Sequence, residues 1–220
     1  DPNVRAVLER LHSRAKADGL KAALKIGPTM VLERIFGKKS SPKVEYHKLE
    51  DIAIPIAREQ GVFSYLVARS ISASRIVEFG TSFGVSTIYL AAAVRDNGGG
   101  IVIGSEFVET KAAKAQANLE EAGLSAYVEI RPGDAMQTLR NPGGNVDMVL
   151  MDGAKELYTP IIKMLKPHIR QGAIVLADNV STFFMKKALA SYVEFMQDPI
   201  NGFQSVTLPF PDGFEYSLRL

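Results

Sequence analysis

The chain of 220 residues contains no cysteine. Disulfides, thiolate metal sites, iron–sulfur clusters and a cysteine nucleophile are therefore excluded. Histidine is scarce. His12, His47 and His168 are scattered without ligand spacing, which argues against a zinc site built on imidazoles. No apolar run approaches about 18 residues, so no membrane-spanning helix is expected. The opening DPNVRAVLER lacks a charged-then-apolar leader, and a cytoplasmic protein is the expectation. A dominant charge is lacking too. Lys and Arg number 26 against 24 Asp and Glu, a net +2 too small to imply a nucleic-acid partner. The main domain shows no aromatic-flanked basic stripe.

What is present is ordinary for a globular chain: 46% hydrophobic and 23% charged residues. The length suits one α/β domain with a small helical extension. Charge is uneven, with 10 Lys/Arg against 5 Asp/Glu in residues 1–45 and 16 against 19 in residues 46–220. A basic N-terminal segment of this kind reads first as a solvated helix surface or an oligomer contact.

Apolar residues at helical spacing (Val4, Val7, Leu8, Leu11, then Leu20, Ala23, Leu24) predict helices within residues 3–36. A polar linker-like stretch follows at 37–45, then helices over about 46–57, kinked or ended by Pro55, and 59–72. From Arg75 onward, short apolar runs alternate with helices. Strands are expected at 75–80, 100–106, 126–134, 146–152 and 172–179, and helices at 84–96, 108–123, 156–169 and 182–196. Continuous apolar strands between helices predict a parallel sheet covered on both faces. The tail differs. Segments 203–210 and 214–220 flank the turn Pro211-Asp212-Gly213, and so tight a hairpin requires one antiparallel strand. Residues 1–57 are thus expected to form a helical cap and residues 58–220 the main domain.

The first strand runs into Glu78-Phe79-Gly80-Thr81-Ser82-Phe83-Gly84-Val85-Ser86. A glycine-rich strand-to-helix turn lets a ligand approach the backbone, with helix N–H groups facing it. The spacing G-x-x-x-G does not meet the dinucleotide fingerprint, which speaks against a nicotinamide-dependent oxidoreductase. Glu78 would repel phosphates and suits an ammonium group, while Ser86 suits a carboxylate. A ligand bearing both is an amino acid. Glu106, followed by Phe107, ends the second strand, where an acid can take ribose hydroxyls. Gly133-Asp134-Ala135 ends the third, where an acid can reach an adenine amino group. Together these describe S-adenosylmethionine better than a dinucleotide. Taken singly, Glu106 or Asp134 reads equally well as a helix cap or a surface acid.

The fourth strand ends in Asp152-Gly153-Ala154-Lys155, the fifth in Asp178-Asn179, and the hairpin carries Asp212-Gly213-Phe214-Glu215. Two carboxylates and an amide carbonyl are hard oxygen donors suited to Mg²⁺. Adjacent residues 178 and 179 reach one ion only where the strand ends and the backbone turns.

Residues 61–220 resemble the catechol and caffeoyl-CoA O-methyltransferase group of class I methyltransferases. The resemblance rests on VEFGTSFGVSTIYLA, the strand ending in Glu106, MDGAKELY, LADNV and the late DGFE. It implies a Rossmann-like α/β fold, with a seven-stranded mixed sheet of order 3-2-1-4-5-7-6 and the last strand reversed. It implies S-adenosylmethionine as donor, a small phenolic acceptor, a divalent cation such as Mg²⁺ on Asp152, Asp178 and Asn179, and a homodimer. By position it makes Lys155 the base at the reacting hydroxyl and Glu215 the acid holding a second hydroxyl, with Asp152 also in the catalytic set. It puts donor contacts at Glu78, Gly80, Thr81, Ser82, Gly84, Ser86, Glu106, Phe107, Gly133, Asp134, Ala135 and Asp152. Catechol methyltransferase has His-Trp between the metal aspartate and the lysine. This chain has Gly153-Ala154 and no tryptophan, so the acceptor site is wider or closed by others such as Tyr46, Phe63 or Phe183. A metal-independent methyltransferase and a non-catalytic donor-binding protein are the alternative readings.

Overall fold

The computed structural model describes residues 1–15, 18, 55–181 and 186–220. The expected linker at 37–45, the second N-terminal helix, and Tyr46 and Phe183 lie outside the described residues. Of the helix expected over 46–57, residues 55–57 are described and are non-helical.

Seven strands form one sheet: β1 (Arg75–Phe79), β2 (Ile101–Glu106), β3 (Val128–Pro132), β4 (Val146–Met151), β5 (Ile169–Asp178), β6 (Phe203–Leu208) and β7 (Phe214–Arg219). Their order is β3-β2-β1-β4-β5-β7-β6, as the resemblance implied. The β1–β2, β1–β4, β2–β3 and β4–β5 pairs are parallel. β7 runs antiparallel to both β5 and β6. The central strands β1 and β4 are almost wholly buried, and the outer strands β3 and β6 are not. That gradient is why the central strands read as unbroken apolar runs.

Helices cover both faces. Residues 2–15 form α1, followed by α2 (Arg58–Ser70), α3 (Val85–Asp96), α4 (Glu109–Glu121), α5 (Ala135–Thr138), α6 (Tyr158–Leu165) and α7 (Lys186–Gln197). On one face Val4, Val7, Leu8 and Leu11 of α1 join Ala68, Leu90, Val94, Leu119 and the strand residues Ile76, Met148, Leu150 and Leu176. On the other, Ile161, Ile162, Leu165, Leu189 and Tyr192 pack over Val77, Val149, Met151 and Val175. Two of the described basic residues of α1 are engaged within the chain. Arg10 pairs with Glu121, and Arg14 pairs with Asp18 and lies 5.1 Å from the Phe83 ring centre.

Element ends differ from the sequence reading for local reasons. β6 stops at Leu208 because Pro209 and Pro211 have no N–H to give to the ladder. α6 stops at Leu165, one residue before a 3₁₀ turn that contains Pro167. α5 was not expected; Asp134 caps it by accepting the Met136 N–H at 2.9 Å.

Candidate active site

The carboxyl ends of β3, β2, β1, β4 and β5 lie side by side in the order that the sheet fixes. β1 has neighbours leading to opposite directions of the chain, the switch point at which open α/β sheets bind ligands. Three strand spacings of about 4.8 Å separate β3 from β4, roughly 14 Å.

At the end of β1, Glu78 is fully buried. Its Oε2 accepts from the Thr81 hydroxyl at 2.9 Å and the Thr87 hydroxyl at 2.6 Å. Its Oε1 is buried and has no hydrogen-bond partner among the described residues, and the same is true of Ser82 Oγ. Burial pushes the Glu78 carboxyl up, while the hydroxyls of Ser86, Thr87 and Thr81 pull it down. Glu78 thus keeps one buried oxygen for a donor beyond Thr81 and Thr87. Gly80 is obligatory. Its φ is +99°, and a Cβ there would sit 2.6 Å from the Asp152 carbonyl. Gly84 opens α3 in the left-handed region, with no side-chain cap on the first N–H groups.

At the end of β2, both oxygens of Glu106 take backbone N–H groups, Ser82 N at 2.7 Å and Val108 N at 2.8 Å. Glu106 thereby ties the glycine turn to the start of α4 while retaining lone pairs. Gly133 N donates to the Glu106 carbonyl at 2.8 Å, which brings Gly133-Asp134-Ala135 beside Glu106 and Phe107. Asp134 is a helix cap, the plainer of its two readings.

At the ends of β4 and β5 lie Asp152 and Asp178. Asp152 N donates to the Phe79 carbonyl at 2.8 Å, so the turn after β4 is stitched to β1. Burial, together with the nearby negative charge of Asp178, pushes the Asp152 carboxyl up to about 8, against the opposing pull of Lys155. Asp178 is also pushed up by burial, and Asp212 of the hairpin adds to this. β5 ends at Asp178, and Asn179 has φ +65°, a conformation that asparagine tolerates better than most residues. The turn that would let residues 178 and 179 serve one ion is present. Among the described residues no three His, Cys, Asp or Glu side chains converge as a metal cluster. The expected set holds only two acids, and their oxygen chemistry and mutual repulsion fit a divalent cation.

Three residues here escaped the sequence reading. Gln60 of α2 is buried; its Nε2 donates to Asp178 Oδ1 at 2.6 Å while its Oε1 accepts from Ala57 N at 2.9 Å. Tyr158 accepts from Lys155 Nζ at 2.7 Å, and Lys155 Nζ is 3.4 Å from Asp152 Oδ1. Phe79 explains Gly153: a Cβ at 153 would lie 2.5 Å from the Phe79 ring, so the histidine of catechol methyltransferase has no room. The Gln60 contact spans 118 positions, beyond any local motif.

Glu215 lies apart from Asp178. It is fully buried and pairs with Ala177 across β5–β7, whereas Asp178 pairs with Phe214. Alternation thus turns Glu215 to the sheet face opposite Asp178. Its carboxylate accepts from Gln197 Nε2 at 2.9 Å and from the hydroxyls of Ser205 and Thr207. It stitches β6, β7 and α7 together. Phe63 packs against Phe210, Phe214 and Tyr216, at the hairpin.

Residues 77–180 match a family described as a methyltransferase domain. A catechol O-methyltransferase from Niastella koreensis is 37% identical over 132 residues, covering 58% of this chain and 59% of that protein. The chain thus spans under two thirds of the curated relative's length. A cofactor-bound crystal structure from MTB superposes with a TM-score of 0.71 at 27% identity, covering 89% of this chain and 96% of that one. An O-methyltransferase from Bacillus cereus in complex with SAH shares the fold, at TM-score 0.70 and 23% identity, over 90% of this chain and 100% of that one. The chain has the class I methyltransferase fold. Part of it is similar in sequence to a methyltransferase domain and to a catechol O-methyltransferase.

Proposed function

We propose that the chain transfers a methyl group from S-adenosylmethionine to a hydroxyl of a small catechol-like phenol, assisted by a divalent cation. The observation that carries this reading is the sheet order. It sets the ends of β1, β2 and β3, where the donor would lie, beside Lys155, the partly buried Asp152 and the buried Asp178 at the ends of β4 and β5. The similarity to a catechol O-methyltransferase and to a complex with SAH supports the choice of donor and acceptor class.

In this reading Glu78 Oε1 takes an N–H of the donor's ammonium group. The uncapped N–H groups of α3 face its carboxylate, Glu106 takes the ribose hydroxyls, and Gly133, Asp134, Ala135 and Phe107 border the adenine. Gly80, Thr81, Ser82, Gly84 and Ser86 shape the turn beneath it. When bound, the donor supplies an electrophilic sulfonium methyl, and magnesium held by Asp152, Asp178 and Asn179 supplies Lewis-acid stabilisation of an anionic oxygen. A phenol of pKa near 10 is mostly protonated at neutral pH, so the proton needs a destination. Lys155 Nζ takes it. Alignment by this frame is the larger effect, worth roughly 7–11 kcal/mol in favourable cases. Glu215 has no part in the chemistry.

The test is incubation with methyl-labelled donor and a panel of catechols, flavonoids and hydroxycinnamates, with Mg²⁺ or with chelator. Label on a catechol-type hydroxyl that disappears under chelator is expected. Label on no acceptor, or transfer indifferent to chelator, contradicts the reading.

A further inference from the structure

The Tyr158 hydroxyl sits where three pieces of the frame meet. It lies 2.8 Å from the Met151 carbonyl at the end of β4, 3.3 Å from the Asp178 carbonyl at the end of β5, and 2.7 Å from Lys155 Nζ. A phenol has one proton to give. Both carbonyls can only accept, so that proton is committed to the strand ends. The oxygen lone pair therefore faces Lys155, whose Nζ donates to it. The phenol ring is itself fixed: it is fully buried and meets Phe79 and Tyr192 edge-on at 6.1 and 5.3 Å.

A lysine has four rotatable side-chain bonds and about 2 kcal/mol of rotamer entropy, so something must hold it if its nitrogen is to meet a substrate oxygen. The contact with Asp152 is long at 3.4 Å, and that with Tyr158 is short at 2.7 Å. Resting on the functional reading above, we infer that Tyr158 is a positioning residue: its hydroxyl fixes Lys155 Nζ against the acceptor oxygen and locks that position to the strand ends carrying Asp152 and Asp178. Tyr158 touches neither donor nor acceptor in this account. It acts through Lys155, where a displacement of about 1 Å can cost on the order of 100-fold in rate.

Tyr158→Phe keeps the ring in its stack and removes only the oxygen. The expected result is a kcat at least ten-fold lower, with adenosylhomocysteine affinity and the donor KM within two-fold of wild type. Side-chain ¹H–¹⁵N correlation spectra of lysine-labelled protein supply a second readout, independent of turnover. Wild type should show a slowly exchanging ammonium signal, assigned by its loss in Lys155→Met, which moves to the position of solvated lysines in Tyr158→Phe. If Tyr158→Phe keeps wild-type kcat, or leaves the signal unmoved, the inference fails. A wild-type Lys155 signal indistinguishable from solvated lysines overturns it without any variant. Full turnover in Lys155→Met instead sinks the functional reading, while the spectra still judge the contact.

Discussion

At the residue scale, the account turns on two side chains, Lys155 and Asp152. Lys155→Met should lower kcat by about 10²–10⁴-fold, the range for losing a general base, with adenosylhomocysteine affinity unchanged by calorimetry. An unchanged kcat would remove its role. Asp152 yields a pH prediction. Its folded-state carboxyl titrates near 8, against 3.8 for an unperturbed aspartate. Between those values the folded chain holds a proton that the unfolded chain has lost. Stability attributable to this group therefore falls as pH rises from about 4 to about 8. Asp152→Asn removes that slope. In chelator, its stability advantage over wild type should grow from about pH 5 to about pH 8 in denaturant titrations. A difference that stays constant with pH would show that the carboxylate is not strained by its surroundings.

At the element scale, the first turn of α2 and the β6–β7 hairpin do different work. Gln60 joins the start of α2 to the end of β5, and an amide suits it because it must accept from Ala57 N and donate to Asp178 at once. Gln60→Ala should cost about 1–3 kcal/mol in denaturant unfolding, the penalty for orphaning buried polar partners. A loss below about 0.5 kcal/mol would mean the contact is dispensable. Glu215→Gln should likewise cost stability of that order while adenosylhomocysteine affinity holds, because its carboxylate serves Gln197, Ser205 and Thr207. A fully stable variant that has lost turnover would return Glu215 to the acceptor. The sequence made the strands and the main helices legible because apolar runs, Gly80, Gly84 and the hairpin turn are local signals. The facing of Glu215 was not legible because a motif match does not say which sheet face a residue occupies. That face depends on β5–β7 register, a non-local property. Gln60 and Tyr158 stayed hidden for a related reason: a glutamine or tyrosine in a helix acquires meaning only from the strand ends it meets.

At the scale of the whole molecule, the sheet order is the functional statement. The ends of β1–β3, where the donor is proposed to lie, and the carboxylates at β4 and β5 are neighbours only because β1 pairs with both β2 and β4. The departure at Gly153-Ala154 is also global in origin, since the Phe79 ring of a neighbouring strand occupies the space. Among the described residues no helix is long and apolar enough to cross a membrane. The most direct test of the central claim is calorimetric titration of adenosylhomocysteine into wild type, Glu106→Ala and Asp178→Ala. The account predicts saturable binding in wild type, a loss of about ten-fold or more at Glu106→Ala from a charged hydrogen-bonding partner, and near-wild-type affinity at Asp178→Ala. Absence of binding to wild type, or a loss confined to Asp178→Ala, would contradict it.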